Sequence, residues 1–285
     1  MGSRITKAGA AGFLASILAA LLTHQVAFAG PEEDRLAFVA FFNARFPDIP
    51  TAEFANGIYA IDDDARSQWM DIEEFPPYEF AVEQGEENWQ QGFANGKNYS
   101  DCFPGPIENI RPHFPKFDDS IGEVVTLELA INQCRAKNNE AALAYKEASM
   151  ISITAFLAYA ARGQQLDIEI PLDNADALAA YESGKQFYYT KRGQLNFACS
   201  DCHGISSGQY IRADRLSAGL GHPTHFPVYR SKLGKVISLH QRFSGCVRDV
   251  RATPFTVQSQ EFINLEYFLT YMSNGFEVNG PGARK

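Results

Sequence analysis

The nonapeptide NFACSDCHG at residues 196–204 decides the fold, because it contains the pattern C-x-x-C-H. Two thiols at this spacing can form thioethers with the two vinyl groups on one edge of a porphyrin, and the imidazole of the next residue then lies under the iron. The motif therefore predicts one covalently attached haem c on Cys199 and Cys202, with His203 as an axial iron ligand.

Three other kinds of site place two cysteines close together: a thioredoxin-like redox pair, a zinc knuckle and a plain disulfide. The sequence around the motif lacks the βαβ pattern of a thioredoxin, and a zinc knuckle needs a second pair of ligands at short spacing. Haem attachment is therefore the interpretation that the motif favours.

The N-terminal segment has the pattern of an export signal. Two basic residues precede an apolar run at residues 8–22, and AFA at residues 27–29 offers a cleavage site. The apolar run is shorter than the roughly 20 residues that a membrane-spanning helix requires. We therefore expect residues 1–29 to be a signal peptide, and we expect a periplasmic protein without a membrane anchor.

The chain is acidic, with 34 Asp and Glu residues against 25 Lys and Arg residues and a net charge of −9. Proteins that bind nucleic acids or anionic lipids need clustered Lys and Arg to displace counterions. We therefore expect no nucleic-acid partner, and we expect a protein or a small solute instead.

The chain upstream of the motif repeats the layout of the motif and of the residues that follow it. Three alignments occur in chain order: SDCF at 100–103 with SDCH at 200–203, Cys134 with Cys246, and FLAYAARG at 156–163 with FLTYMSNG at 268–275. The first alignment is offset by 100 residues and the other two by 112. The chain is therefore an internal duplication, with about 12 extra residues in the second copy.

We predict a mainly α protein with two cytochrome c-like domains, at residues 30–168 and 169–285. The segments with helical periodicity are 33–46, 127–166 with a break near 137–139, 173–184 and 259–272. A short hairpin is predicted over residues 187–195, with its turn at 192–193. Residues 204–235 form a long excursion around the motif, and loops of that length are usually functional.

The first copy has lost the residues that would attach a haem. Tyr99 and Phe103 stand where the second copy has its first cysteine and its histidine. We therefore predict that the first domain contains no haem. Its two remaining cysteines, Cys102 and Cys134, should pair as a disulfide in an oxidising compartment and stabilise that domain by roughly 3–4 kcal/mol.

Cys246 is the thiol left over when the haem and the disulfide are assigned, and it occupies the position that matches Cys134. An unpaired cysteine in an exported protein calls for a functional explanation. From haem chemistry alone it is one of several candidates for the sixth iron ligand. The other candidates are Met272, Met150, His222, His225 and His240, and Cys246 could instead be an inert buried thiol.

The mature chain resembles the SoxA subunits of the SoxAX cytochromes of bacterial sulfur oxidation. The resemblance rests on the duplicated layout, on GQLNFACSDCH at 193–203 and on RFSGCVR at 242–248. Many members of that family bind two haems, whereas this chain lacks the first attachment motif and resembles the single-haem branch. The resemblance implies that Cys246 is both an iron ligand and the catalytic cysteine, and that Arg242 binds the substrate.

The activity that the resemblance implies is that of an L-cysteine S-thiosulfotransferase. Thiosulfate would be joined oxidatively to a cysteine of the carrier protein SoxY, within SoxYZ, and the electrons would pass to cytochrome c. A small cytochrome, SoxX, would be the heterodimer partner. Arg242 could instead be an exposed arginine or a partner of a haem propionate, and Arg248 and Arg251 are weaker candidates for the same anion pocket.

Two functions of other classes remain compatible with the residues alone. A pure electron-transfer cytochrome would use Cys246 only to tune the haem, and a scaffold would only dock a redox partner. An electron carrier needs an exposed haem edge, whereas the enzyme needs open access from Cys246 to a cysteine of another protein.

Overall fold

The computed structural model describes Gly2 and residues 30–284. Apart from Gly2, the predicted signal peptide lies outside the described residues, so it stays a prediction. Among residues 30–284, none of the helices combines the length and the apolar character that crossing a bilayer requires.

The described chain is mainly helical, as predicted, with short strands between the helices. The α-helices are α1 (Pro31–Arg45), α2 (Asp63–Glu73), α3 (Glu79–Gln90), α4 (Leu127–Lys137), α5 (Ala148–Ala160), α6 (Ala175–Tyr189), α7 (Leu239–Asp249) and α8 (Gln260–Met272). The strands are β1 (Lys116–Asp118), β2 (Glu123–Val125), β3 (Tyr210–Ile211), β4 (Asp214–Arg215), β5 (Val228–Arg230), β6 (Lys235–Ile237) and β7 (Gly282–Arg284). A 3-10 helix spans Thr51–Ala60, a π turn spans Asp201–Ile205, and a 3-10 turn spans His222–His225.

The predicted hairpin over residues 187–195 is wrong. Helix α6 begins after Asn174, whose side chain accepts hydrogen bonds from two backbone N–H groups of the first turn, and it continues to Tyr189. Its buried residues include Tyr181, Gly184 and Tyr188, a helical spacing, so burial of the aromatic residues outweighs their preference for strands. Only an isolated bridge between Arg192 and Phe197 follows the helix.

The structure confirms the internal duplication. Helices α4 and α5 and the hairpin β1–β2 recur as α7 and α8 and the hairpin β5–β6, and the bounds of each element are shifted by 112 residues. The earlier offset of 100 ends at His203, whereas the 3-10 turn Arg111–His113 of the first copy already matches residues 223–225 at an offset of 112. The extra residues of the second copy therefore lie between His203 and the 3-10 turn His222–His225, in the segment that contains β3 and β4.

Each copy also contains the same close crossing of two helices. A Cβ added to Gly85 on α3 would lie 2.0 Å from the carbonyl oxygen of Ser152 on α5. In the second copy, a Cβ on Gly184 of α6 would lie 2.0 Å from the carbonyl oxygen of Asn264 on α8. Only glycine allows the backbones to approach this closely, so both copies need it for the same reason.

Aromatic side chains fill the core of the first copy. The rings of Trp89 and Tyr99 stack with centroids 5.1 Å apart, and Phe103 packs beside them. Cys102 and Cys134 are joined by a disulfide at the edge of this core, as the sequence predicts. The two residues that replace the haem-attaching cysteine and histidine are therefore core residues here.

The second copy has a larger core, which includes residues from the start of the described chain. Phe38 and Phe42 of α1 are buried with Tyr188 of α6 and Phe268 of α8 in one cluster. The ring of Phe38 contacts the rings of Tyr188 and Phe268 edge-on, with centroids 5.8 and 6.5 Å apart. Helix α1 thus closes one side of the copy that carries the C-x-x-C-H motif.

Candidate haem and sulfur site

A cavity of about 470 Å³ lies between the second copy and residues 57–68, and the C-x-x-C-H motif forms part of its wall. Cys199, Cys202 and His203 line it together with two residues of α7, Arg242 and Cys246. The structure therefore brings the predicted site residues of the second copy to one place. The volume is within the range of about 300–1,000 Å³ that is usual for cofactor pockets.

His203 is arranged as a haem ligand would be. Its Nδ1 lies 3.1 Å from the carbonyl oxygen of Ser217, and donation of the Nδ1 proton leaves the Nε2 lone pair for a metal. Desolvation of the ring lowers the pKa of His203 to about 4, so the imidazole is neutral at physiological pH. A neutral imidazole with its second nitrogen held by a backbone carbonyl is a common form of metal-ligating histidine.

The two motif cysteines line the cavity, and neither is disulfide-bonded. Burial raises the pKa of the Cys199 thiol to about 12 and also raises that of Cys202. The hydroxyl of Tyr188, on the same wall, is buried and has no hydrogen-bond partner in the described chain. These observations fit a large, mostly apolar group that fills the cavity.

Helix α7 presents the other two predicted residues. Ser238 and Gln241 form a capping box at its start, with hydrogen bonds of 3.3 and 3.0 Å. The helix runs through Gly245, so Arg242 and Cys246, four positions apart, lie on one face. Both are half-buried, and no carboxylate of residues 30–284 lies within ion-pair distance of Arg242.

Comparison with known proteins identifies the family. The family model described as "SoxA/TsdA, cytochrome c domain" matches residues 84–166 and 183–278. The chain belongs to the SoxA family of cytochromes. The two matches confirm two cytochrome c domains, and a chain with cytochrome c domains of this kind binds haem c.

Named SoxA proteins match nearly the whole chain. The L-cysteine S-thiosulfotransferase subunit SoxA of Allochromatium vinosum is 52% identical over 96% of this chain and 99% of its own length. The subunit of the same name from Chlorobaculum tepidum is 46% identical over 89% of this chain and 88% of its own length. The crystal structure of SoxXA from P. pantotrophus matches with a TM-score of 0.70 and 30% identity, and the match covers 80% of this chain and 86% of that chain.

Only some of the candidates for the sixth iron ligand line the cavity. Cys246, His222 and His225 line it, whereas the other candidates, Met150, Met272 and His240, lie outside its wall. His222 packs beside the proposed proximal ligand, with ring centroids 4.4 Å apart, and its Nε2 lies 2.8 Å from the hydroxyl of Ser217. His222 is thus next to His203 and already has a hydrogen-bond partner, which leaves Cys246 and His225 as the stronger candidates.

The arginines that line the cavity differ, apart from Arg242, from those that the sequence predicts for the anion site. The weaker anion-site candidates, Arg248 and Arg251, are exposed and do not line the cavity. Arg230 and Arg284 do line it, as do Arg192 and Arg215, and the sequence analysis predicted none of these four as a site residue. Arg230 and Arg284 are 54 positions apart in the chain and have no shared motif, so only the fold brings them together.

Proposed function

We propose that this chain is the haem-bearing subunit of an L-cysteine S-thiosulfotransferase, in which Cys246 carries sulfur and Arg242 orients thiosulfate. The haem would be attached at Cys199 and Cys202, and His203 and Cys246 would be the residues that ligate its iron. One observation carries the proposal: α7 places a thiol and an unpaired guanidinium one turn apart on the wall of the C-x-x-C-H cavity.

The reaction joins two sulfur atoms and releases two electrons. The Cys246 thiolate and the terminal sulfur of thiosulfate form a sulfur–sulfur bond, which leaves an S-sulfonated persulfide on the cysteine. The thiolate of the carrier protein, SoxY within SoxYZ, then attacks the terminal sulfur and displaces the Cys246 thiolate. The carrier cysteine ends with the thiosulfonate group, and the chain returns to its starting state.

Arg242 supplies the charge that the substrate requires. Its guanidinium has a planar set of donors that matches the oxygens of a sulfonate, and it forms no ion pair with a carboxylate of the described residues. Bound there, thiosulfate would direct its terminal sulfur at the thiol one helical turn away. Arg242 would thus bind and orient the anion, while Cys246 reacts.

A second redox centre is needed because two electrons leave and haem, when bound, accepts one at a time. We propose that the small cytochrome subunit SoxX supplies this centre in a periplasmic heterodimer, and that cytochrome c removes the electrons. The similarity to the SoxXA crystal structure supports such a partner.

We also propose that the chain holds a single haem, in the domain at residues 169–285, and that the domain at 30–168 holds none. Tyr99 and Phe103 support this, because they occupy the haem-attachment positions of the first copy and are buried in its core. The disulfide between Cys102 and Cys134 lies at the same core.

Replacement of Cys246 by Met tests the proposed function. Methionine can still ligate haem iron, so the variant should keep a low-spin haem but lose thiosulfate-dependent conjugation of the carrier. Arg248→Met, on the exposed part of the same helix, is the matched control and should conjugate at the parental rate. If Cys246→Met conjugates normally with a changed haem spectrum, the cysteine only tunes the haem and the chain is an electron carrier.

A further inference from the structure

Two arginines lie side by side on the wall of the haem-motif cavity. Strand β7 runs parallel to β5, and their register pairs Arg284 with Arg230. Residues in register on adjacent strands project from the same face of the sheet. Both arginines line the cavity, so two guanidinium groups share one part of its wall.

Neither guanidinium forms an ion pair with a carboxylate of residues 30–284. The ion pairs formed within residues 30–284 do not include Arg230 or Arg284, and the nearby Asp214 is held by Lys232 at 2.7 Å. Arg284 is only 8% exposed and donates to two backbone carbonyls, those of Ala283 and Asn56. Like charges on adjacent strands repel, and an unpaired buried charge is costly, so the pair requires an anion.

His225 adds an unused polar atom at the same place. It is 6% exposed, lines the cavity, and its Nδ1 is buried without a hydrogen-bond partner among the described residues. A Cβ built on Gly57 would lie 3.5 Å from the His225 ring and 3.6 Å from a guanidinium nitrogen of Arg284. The histidine and the arginine therefore flank the same small space beside Gly57.

The first copy provides an internal comparison. The residue of β1 that corresponds to Arg230 is Asp118, whose carboxylate accepts a hydrogen bond from the hydroxyl of Ser120. In the described chain, β1 and β2 form a two-stranded sheet, so no strand corresponds to β7 there. His113, the counterpart of His225, is exposed and interacts with Asp167 instead. The arginine pair is thus present only in the copy that carries the haem motif.

We propose that Arg230 and Arg284, together with His225, bind the two haem propionate carboxylates. The inference rests on the proposed haem attachment at Cys199 and Cys202. Two guanidinium groups match two carboxylates in charge and in donor geometry, and the Nδ1 of His225, in the tautomer that is protonated there, would donate to one of them. Burial lowers the pKa of Arg284 to about 10, which leaves it charged at physiological pH.

The pair would also raise the reduction potential of the haem. Positive charge beside the propionates offsets their negative charge, which would otherwise stabilise the ferric state. Without the arginines, the propionates should in addition take up protons more readily, because a nearby opposite charge holds a carboxyl pKa low. The sulfonate of thiosulfate, like a propionate, is an anion whose oxygens accept hydrogen bonds from arginine. The two anions are therefore distinguished by measuring both the reduction potential and the KM for thiosulfate.

The test uses Arg230→Gln and Arg284→Gln in the haem-loaded full chain, complexed with its cytochrome partner. We expect each midpoint potential to become more negative, by about 59 mV if the redox equilibrium shifts about tenfold. The potential should also become dependent on pH between about pH 5 and pH 8, because the propionates would then take up protons in that range. Arg284→Lys keeps the charge and should retain the parental potential.

Lys235→Gln is the matched control, because it removes the same charge from an exposed position on β6 next to Arg230. It should leave the potential unchanged. Unchanged potentials in both Arg→Gln variants would overturn the inference, and a raised KM at an unchanged potential would assign the pair to the sulfonate. If Arg284→Gln fails to load haem, Arg230→Gln and Arg284→Lys decide the question.

Proteolysis of the parent protein separates this inference from the function on which it rests. Haem on the peptide that contains Cys199 and Cys202 supports the attachment site, whatever the arginine variants do. Haem elsewhere would overturn the proposed function itself.

Discussion

Arg242 and Cys246 lie one turn apart on α7, and both line the cavity that contains the C-x-x-C-H motif. This relationship places a guanidinium that could bind an anion and a thiol together at the proposed haem site. It explains how one helix could hold thiosulfate and accept its sulfur.

Replacing Arg242 by Ala should reduce kcat/KM for thiosulfate. A charged hydrogen-bonding group is worth roughly 1.5–3 kcal/mol, so the expected loss is about 10- to 150-fold. Steady-state kinetics of carrier conjugation measure it. The control is Arg248→Ala, which changes an exposed arginine on the same helix and should have little effect. Equal losses in both variants would mean that Arg242 contributes only net charge.

Removal of the disulfide should destabilise the first copy without affecting haem attachment. The Cys102→Ser, Cys134→Ser double variant opens a loop with a sequence separation of 32 residues, and should lose roughly 3–4 kcal/mol of unfolding free energy. Denaturant unfolding measures the loss, and the absorbance spectrum reports the haem. Native protein in which Cys102 can be alkylated would contradict the pairing.

Substitution of the two glycines at the helix crossings tests whether the two copies fold independently. Gly184→Ala would place a Cβ 2.0 Å from the carbonyl oxygen of Asn264, so it should force α6 and α8 apart at a cost of about 3 kcal/mol or more. Gly85→Ala makes the same clash in the first copy. We expect both variants to be less stable, but only Gly184→Ala to reduce haem content. Similar haem loss in both would show that the copies fold as one unit.

The half-buried carboxylate of Glu128, near the contact between the copies, should make stability depend on pH. Burial, followed by the charge of Glu266, raises the pKa of Glu128 above its ordinary value. The folded state then favours the protonated acid, so this contribution to stability is present below the ordinary pKa and is lost as the pH rises through the folded value.

Glu128→Gln should therefore stabilise the protein at pH 8 and have little effect near pH 4. Denaturant midpoints at the two pH values measure the difference. Glu123→Gln, at an exposed position of β2, is the control and should behave like the parent at both. Destabilisation by Glu128→Gln at pH 8 would mean that the ionised carboxylate is paired in the folded state.

The duplication, and the part of the site that α7 contributes, can be predicted from the sequence. The offsets of 100 and 112 residues correspond to real elements, and the four-residue spacing of Arg242 and Cys246 is a helical one. These features are local, or repeat local features, so they can be detected without the fold.

Features that depend on long-range packing could not be predicted in the same way. Arg284 lies at the cavity because its three-residue strand, β7, pairs with β5. Neither strand is long enough to show the alternating hydrophobic pattern by which a strand is predicted from sequence. Likewise, aromatic residues at 187–189 suggest a strand by composition, but packing of Phe187 and Tyr188 against α8 keeps this segment helical. The packing of α1 on the second copy also depends on contacts between distant segments.

The mass of the Cys246 peptide tests the central claim most directly. The haem-loaded protein would be incubated with thiosulfate and an electron acceptor, without the carrier, then alkylated and digested. We predict that the peptide gains the mass of one thiosulfate group, and that adding the carrier protein removes this mass and transfers it to the carrier cysteine. An unmodified, alkylated Cys246 under conditions where the carrier becomes conjugated would contradict the account.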